Sequence, residues 1–141
     1  DVDIIWFKNP ETIFNEIKTN TSKSFMMDAS HASCSVSFKD GSKLEKKLSF
    51  LNAGIIFYKK ENFNLKKLDQ YFGNLEVSVK KNLYFVEQAG HAYCLNNLCK
   101  LSADNYVINK DINEKVCVKH YTSPRRPLFY IEGIDQIKKT L

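Results

Sequence analysis

Short apolar runs separated by polar turns make up most of the chain, and their period switches between that of a strand and that of a helix. Ile4-Ile5-Trp6-Phe7 is an unbroken β-branched and aromatic run, which predicts a buried strand. Asn9-Pro10 ends it. Pro10 suits the first turn of a helix reaching Ile17, with Ile13, Phe14 and Ile17 on one face. Phe25-Met26-Met27 predicts another short strand. Cys34, Val36 and Phe38 then alternate with serines, the pattern of a half-buried strand. Asp40-Gly41 supplies a turn, and residues 44–50 are expected to return as its partner. Residues 52–58 form a further apolar strand run. Asn64 is placed to cap a helix with Leu65, Leu68, Tyr71 and Phe72 inward and Gly73 at its stop. Residues 85–96 predict a helix, 104–109 and 115–120 two strands, and 127–141 a terminal helix. This order predicts the α/β class, a mixed sheet flanked by helices, in a single domain spanning residues 1–141.

Composition narrows the function classes only a little. The 43% apolar and 26% charged content is that of an ordinary globular domain and excludes a wholly disordered chain. No apolar run approaches the roughly 18–20 residues that span a bilayer, and no signal peptide is recognisable. Cys34, Cys94, Cys99 and Cys117 are scattered without a dense framework, which predicts reduced thiols and a cytoplasmic setting. The net charge of +5 suits a phosphate-bearing ligand, a peripheral position on an anionic membrane, or nucleic acid alike. The chain opens on Asp1, directly before its first strand, so an excerpt of a longer protein is expected.

Four segments carry candidate chemistry. Asp1-Val2-Asp3 sets two carboxylates two residues apart at a strand end, where they can converge on Mg²⁺ or Mn²⁺. Taken alone, the triplet equally describes a solvated turn. Asn52-Ala53-Gly54 places a small residue and a glycine in an apolar strand, which permits close backbone approach to a ligand or marks a bulge. Glu87-Gln88 offers a carboxylate and an amide for paired hydrogen bonds to hydroxyls, or an exposed helix face. Lys119-His120-Tyr121-Thr122-Ser123-Pro124-Arg125-Arg126 combines an imidazole with two guanidinium groups.

Taken in order, from Asp1 to about Gly133, these segments resemble the nucleotide-diphospho-sugar transferases, the GT-A type glycosyltransferases with an Asp-x-Asp motif. The resemblance implies a partial GT-A fold lacking its N-terminal nucleotide-binding half, a missing part of the same protein that would be its partner. It implies transfer of a sugar from a nucleotide-sugar donor to a glycan or other hydroxyl acceptor. By the same resemblance, Asp1, Asp3 and His120 would hold Mn²⁺ or Mg²⁺. Asn52 and Gly54 would border the sugar, Glu87 and Gln88 would serve the acceptor and the reacting centre, and Arg125 or Arg126 would grip the diphosphate. Ser123-Pro124 departs from the glycine found in many such enzymes.

Two other readings compete. His31, Cys34, Cys117 and His120 could form a Cys₂His₂ zinc shell. Lys39, Lys43, Lys46, Lys47, Lys80 and Lys81 with Arg125 and Arg126 could form a nucleic-acid patch. The aromatic residues mostly fall on periodic apolar faces, which favours core packing over base stacking. No nucleic-acid partner is therefore expected.

Overall fold

The computed structural model describes residues 3–19, 22–29, 36–76, 83–123 and 125–140. Among these the chain is α/β, with two three-stranded sheets in place of the single sheet expected. Strands β1 (Ile4–Trp6), β5 (Tyr106–Ile108) and β6 (Val118–His120) form the first, ordered β1-β6-β5. β6 runs antiparallel to β1 and parallel to β5. Strands β2 (Ser24–Asp28), β3 (Leu51–Phe57) and β4 (Leu98–Lys100) form the second, ordered β3-β2-β4. β2 is antiparallel to β3 and parallel to β4, so both sheets are mixed.

The alternation of side chains across each strand decides what packs where. Phe25 and Met27 of β2 join Ile55, Tyr106, Ile108 and Val118 in a core shared by the two sheets, closed by Ile13 of helix α1 (Glu11–Thr19). Met26 points the other way and meets Leu51, Ala92 and Leu95, which seats helix α3 (Leu83–Cys94) on the second sheet. Helix α2 (Leu65–Asn74) packs on α3 through Tyr71, Val86 and Ala89, and the Tyr71 hydroxyl donates to the Val86 carbonyl at 2.7 Å. Helix α4 (Arg126–Thr140) lies against the outer face of the first sheet, where Gly133 meets Ile5 of β1.

Several local expectations change. Residues 44–50 form no strand. The charged run Glu45-Lys46-Lys47 lies exposed, and the Leu48 and Ser49 N–H groups turn back onto the Glu45 carbonyl. The proposed partner survives only as the isolated bridges Ser37–Lys43 and Phe38–Leu75, and its earlier residues, Cys34 included, lie outside the described residues. Asn64 caps α2 as expected, its side chain accepting from the Lys67 N–H at 3.2 Å, but the helix runs through Gly73 to Asn74. Tyr71 of the expected inner face is fully buried, whereas Leu65 and Phe72 are exposed. Phe14 is also mostly outside the core and meets Phe57 edge-on. No helix among the described residues is long and apolar enough to cross a membrane.

Candidate functional site

At one end of β1 the chain gathers side chains from distant segments. Asp3 immediately precedes β1 and stands opposite Tyr121, whose N–H donates to the Asp3 carbonyl at 2.9 Å. One residue inward, Ile4 pairs with His120. The ladder therefore brings the acid and the imidazole side by side, with Asp3 Oδ1 3.3 Å from His120 Nε2. The other carboxylate oxygen, Oδ2, accepts from Arg126 Nε at 3.0 Å. That guanidinium extends from the first residue of α4.

A bulge in β3 supplies the far wall. Between Met26 and Met27 the β3 partner jumps from Ile56 to Asn52, which pushes Ala53, Gly54 and Ile55 out of the ladder. The bulge re-aims Asn52 and brings the Gly54 backbone against the imidazole. A Cβ on Gly54 would lie 2.2 Å from His120 Nδ1 and 2.5 Å from Cε1. Only a hydrogen fits there.

The hydrogen bonds around Asn52 fix the protonation pattern. Its Nδ2 donates to Gln88 Oε1 at 3.0 Å, and its Oδ1 accepts from the Gly54 N–H at 2.7 Å. The same Oδ1 lies 3.1 Å from His120 Nδ1, so the imidazole nitrogen must carry the proton. A neutral ring then turns its Nε2 lone pair towards Asp3. Burial pushes the His120 pKa below its ordinary value; the Asp3 carboxylate opposes this, and the Arg126 charge adds to it. The neutral ring is therefore the favoured form at neutral pH.

Asp3 Oδ1 consequently has an unusual setting. It is buried and accepts no hydrogen bond among the described residues, and it lies against His120 Nε2, with which it forms an ion pair when that ring is protonated. Such an oxygen is costly to bury unless a cation or proton joins it. Two ligands in adjacent positions of an octahedral Mg²⁺ shell lie about 3 Å apart, close to the spacing of this pair. A carboxylate oxygen and an imidazole nitrogen also match the mixed donor set that Mn²⁺ accepts. The pair thus fits a divalent ion, with two protein ligands. Among the described residues no group of three His, Cys, Asp or Glu side chains forms a cage, and Asp1 lies outside them.

No family model, curated protein or solved structure matches this chain.

Of the residues singled out by sequence, Asp3, Asn52, Gly54, Gln88, His120 and Arg126 thus form one connected group. Gln88 is buried and accepts from Asn52, so it supports the site from behind instead of opening onto it. Glu87 turns to the opposite side, is largely exposed, and lies 3.7 Å from His91 Nε2. Both were expected at the start of their helix; they sit within α3, beyond its first turn, where neighbouring residues diverge by about 100°. Arg125 is exposed before α4, and its N–H donates to the Thr122 carbonyl.

The rival constellations fall only partly within the described residues. His31 and Cys34 lie outside the described residues, while the Cys117 thiol is engaged by the Lys115 carbonyl and His120 by Asn52. Lys39 and Lys47 belong to the turn region beside α2, where they bind the Gly73 carbonyl and Glu45, whereas Arg126 binds Asp3. Lys80 and Lys81 lie outside the described residues.

One feature escaped the sequence reading. Lys119 is completely buried on the face of β6 opposite His120, with its ammonium on both Glu132 oxygens at 3.0 and 2.9 Å. The Tyr121 hydroxyl donates to the same carboxylate. A lysine inside the apolar run Val116-Cys117-Val118-Lys119 was the available signal, because a charge in such a strand demands a partner.

Proposed function

We propose that this chain is the metal-ligand-bearing part of a nucleotide-sugar-dependent glycosyltransferase of the GT-A type. The supporting observation is convergence. The acidic opening, the Asn-Ala-Gly bulge, Gln88 and the late histidine-arginine segment contribute side chains to one hydrogen-bonded group around a buried carboxylate oxygen that accepts no hydrogen bond among the described residues. In this reading Asp3 Oδ1 and His120 Nε2 hold Mn²⁺ or Mg²⁺, joined by Asp1 as the family resemblance implies. A divalent ion there would offset the negative charge that develops on a departing nucleoside diphosphate.

The residues of the chain itself have separable tasks. Asn52 fixes the His120 tautomer so that Nε2 remains a ligand, and Gln88 fixes Asn52. Gly54 makes room for the ring. Arg126 holds Asp3 Oδ2 through Nε, which leaves the other guanidinium nitrogens for phosphate oxygens, and Arg125 stands beside it in sequence. Glu87, exposed on α3, is the carboxylate assigned to the acceptor side. The donor is a nucleotide-sugar and the acceptor a hydroxyl of a glycan or similar molecule.

Titration with Mn²⁺, alone and with nucleoside diphosphates, tests the assignment. Binding should raise the unfolding midpoint, by an amount equivalent to about 2.7 kcal/mol at a hundredfold excess over Kd. Asp3→Asn and His120→Ala should each abolish the rise. An unaltered response in both variants, or no response in the parent chain, would remove the basis of the proposal.

A further inference from the structure

In the Lys119–Glu132 pair the lysine is fully buried while the Glu132 side chain is 21% exposed, and such a pair is weak evidence for stability. Withdrawing two charges from water costs several kcal/mol each, and well-packed apolar residues of similar volume usually stabilise a fold as much or more. What an ion pair supplies is a fixed geometry. Here Glu132 receives two bonds from the Lys119 ammonium and one from the Tyr121 hydroxyl, while the ammonium also lies 4.8 Å from the centre of the Tyr121 ring. Burial and then the Glu132 carboxylate push the Tyr121 phenol far above its ordinary range, so it remains a donor. These contacts tie α4 to β6, beside the edge-on Tyr121–Phe129 ring pair and the seat of Gly133 against Ile5.

The other end of the same lever reaches the candidate site. Arg126, the first residue of α4, lies about 9 Å along the helix from Glu132. There its Nε meets Asp3 Oδ2. A slip of α4 by one turn, about 5 Å, would carry the guanidinium away. Asp3 would then lose the contact that turns Oδ2 outward and leaves Oδ1 beside His120.

We propose that Glu132 is a positioning residue: through Lys119 and Tyr121 it docks α4 so that Arg126 orients the Asp3 carboxylate for cation binding. The metal part of this statement rests on the proposed function; the docking part does not.

The test is the double variant Lys119→Met/Glu132→Leu, which removes both charges together and leaves neither one buried alone. Its unfolding midpoint should stay close to that of the parent, since the desolvation cost removed with the two charges offsets the Tyr121 hydroxyl left without its acceptor. The Nε–H resonance of Arg126 in a nitrogen–proton NMR spectrum reads the Asp3 contact directly. In the double variant it should move to the position found in Asp3→Asn, with faster exchange against water, and Mn²⁺ should bind about tenfold or more weakly. An unchanged Arg126 resonance in the folded double variant overturns the proposal. If that resonance moves but the parent chain binds no Mn²⁺, the docking role stands and the transferase reading falls. Should the double variant fail to fold, Glu132→Gln, which retains an acceptor for Lys119 and Tyr121, takes its place. A native Arg126 resonance there would support docking by hydrogen bonding, and a native resonance in Glu132→Ala would overturn it.

Discussion

At the scale of single residues, Gly54 and His120 are the most sharply constrained. A methyl group on Gly54 would occupy space already filled by the imidazole and would also crowd Asn52 Oδ1, 2.7 Å away. Gly54→Ala is expected to destabilise the fold by about 1–3 kcal/mol in urea unfolding, since the ring or the bulge must move. It should also impair Mn²⁺ binding. His120 predicts a pH dependence with a definite sign. Its folded pKa lies below the ordinary 6.5, so the unfolded chain binds this proton more readily. The associated stability is fully present above about pH 6.5 and is lost as pH falls through the depressed folded value. The urea midpoint should therefore drop between about pH 7.5 and about pH 5.5, and His120→Asn should flatten that part of the curve. The glycine and histidine were both singled out in the sequence. That one makes room for the other was not, because they lie in strands of different sheets.

At the scale of elements, helices were more legible than strands. The cap at Asn64 could be read because its side chain acts on an N–H only three residues away. Asn64→Ala should cost about 1 kcal/mol, measured by thermal or chemical unfolding. Gly73 was misread as a stop. It is exposed, lies within α2, and a Cβ there would meet no atom within 4 Å. Gly73→Ala should accordingly stabilise the chain by about 0.5–1 kcal/mol. The apolar side chains of α2 were expected to turn inward together, but α3 covers only part of that face, leaving Leu65 and Phe72 outside. Strand β4 was not anticipated: it follows Asn97, which adopts a left-handed conformation at φ 49°, directly after the run expected as a helix. Residues 44–50 mimicked a strand through their apolar ends, yet the intervening charges had no second layer to face.

At the scale of the whole molecule, the order of the motifs was legible while their three-dimensional division was not. The bulge opposite Met26 and Met27 is a pairing choice made between strands far apart in sequence. The same bulge separates Asn52 and Gly54, which reach His120, from Ile55 and Phe57, which fill the core. Gln88 shows the limit of local reading most clearly. Its amide suited a sugar hydroxyl, but α3 is rotated so that the side chain meets Asn52 and Glu87 faces water. The Arg126–Asp3 contact joins residues 123 positions apart. A bond closing so large a loop is a non-local contact, which is won against a loop-closure cost. Because Asn52 and Gly54 come from one sheet and His120 from the other, the group as a whole reports on both: loss of either sheet dismantles it, whereas fraying of an outlying turn leaves it intact.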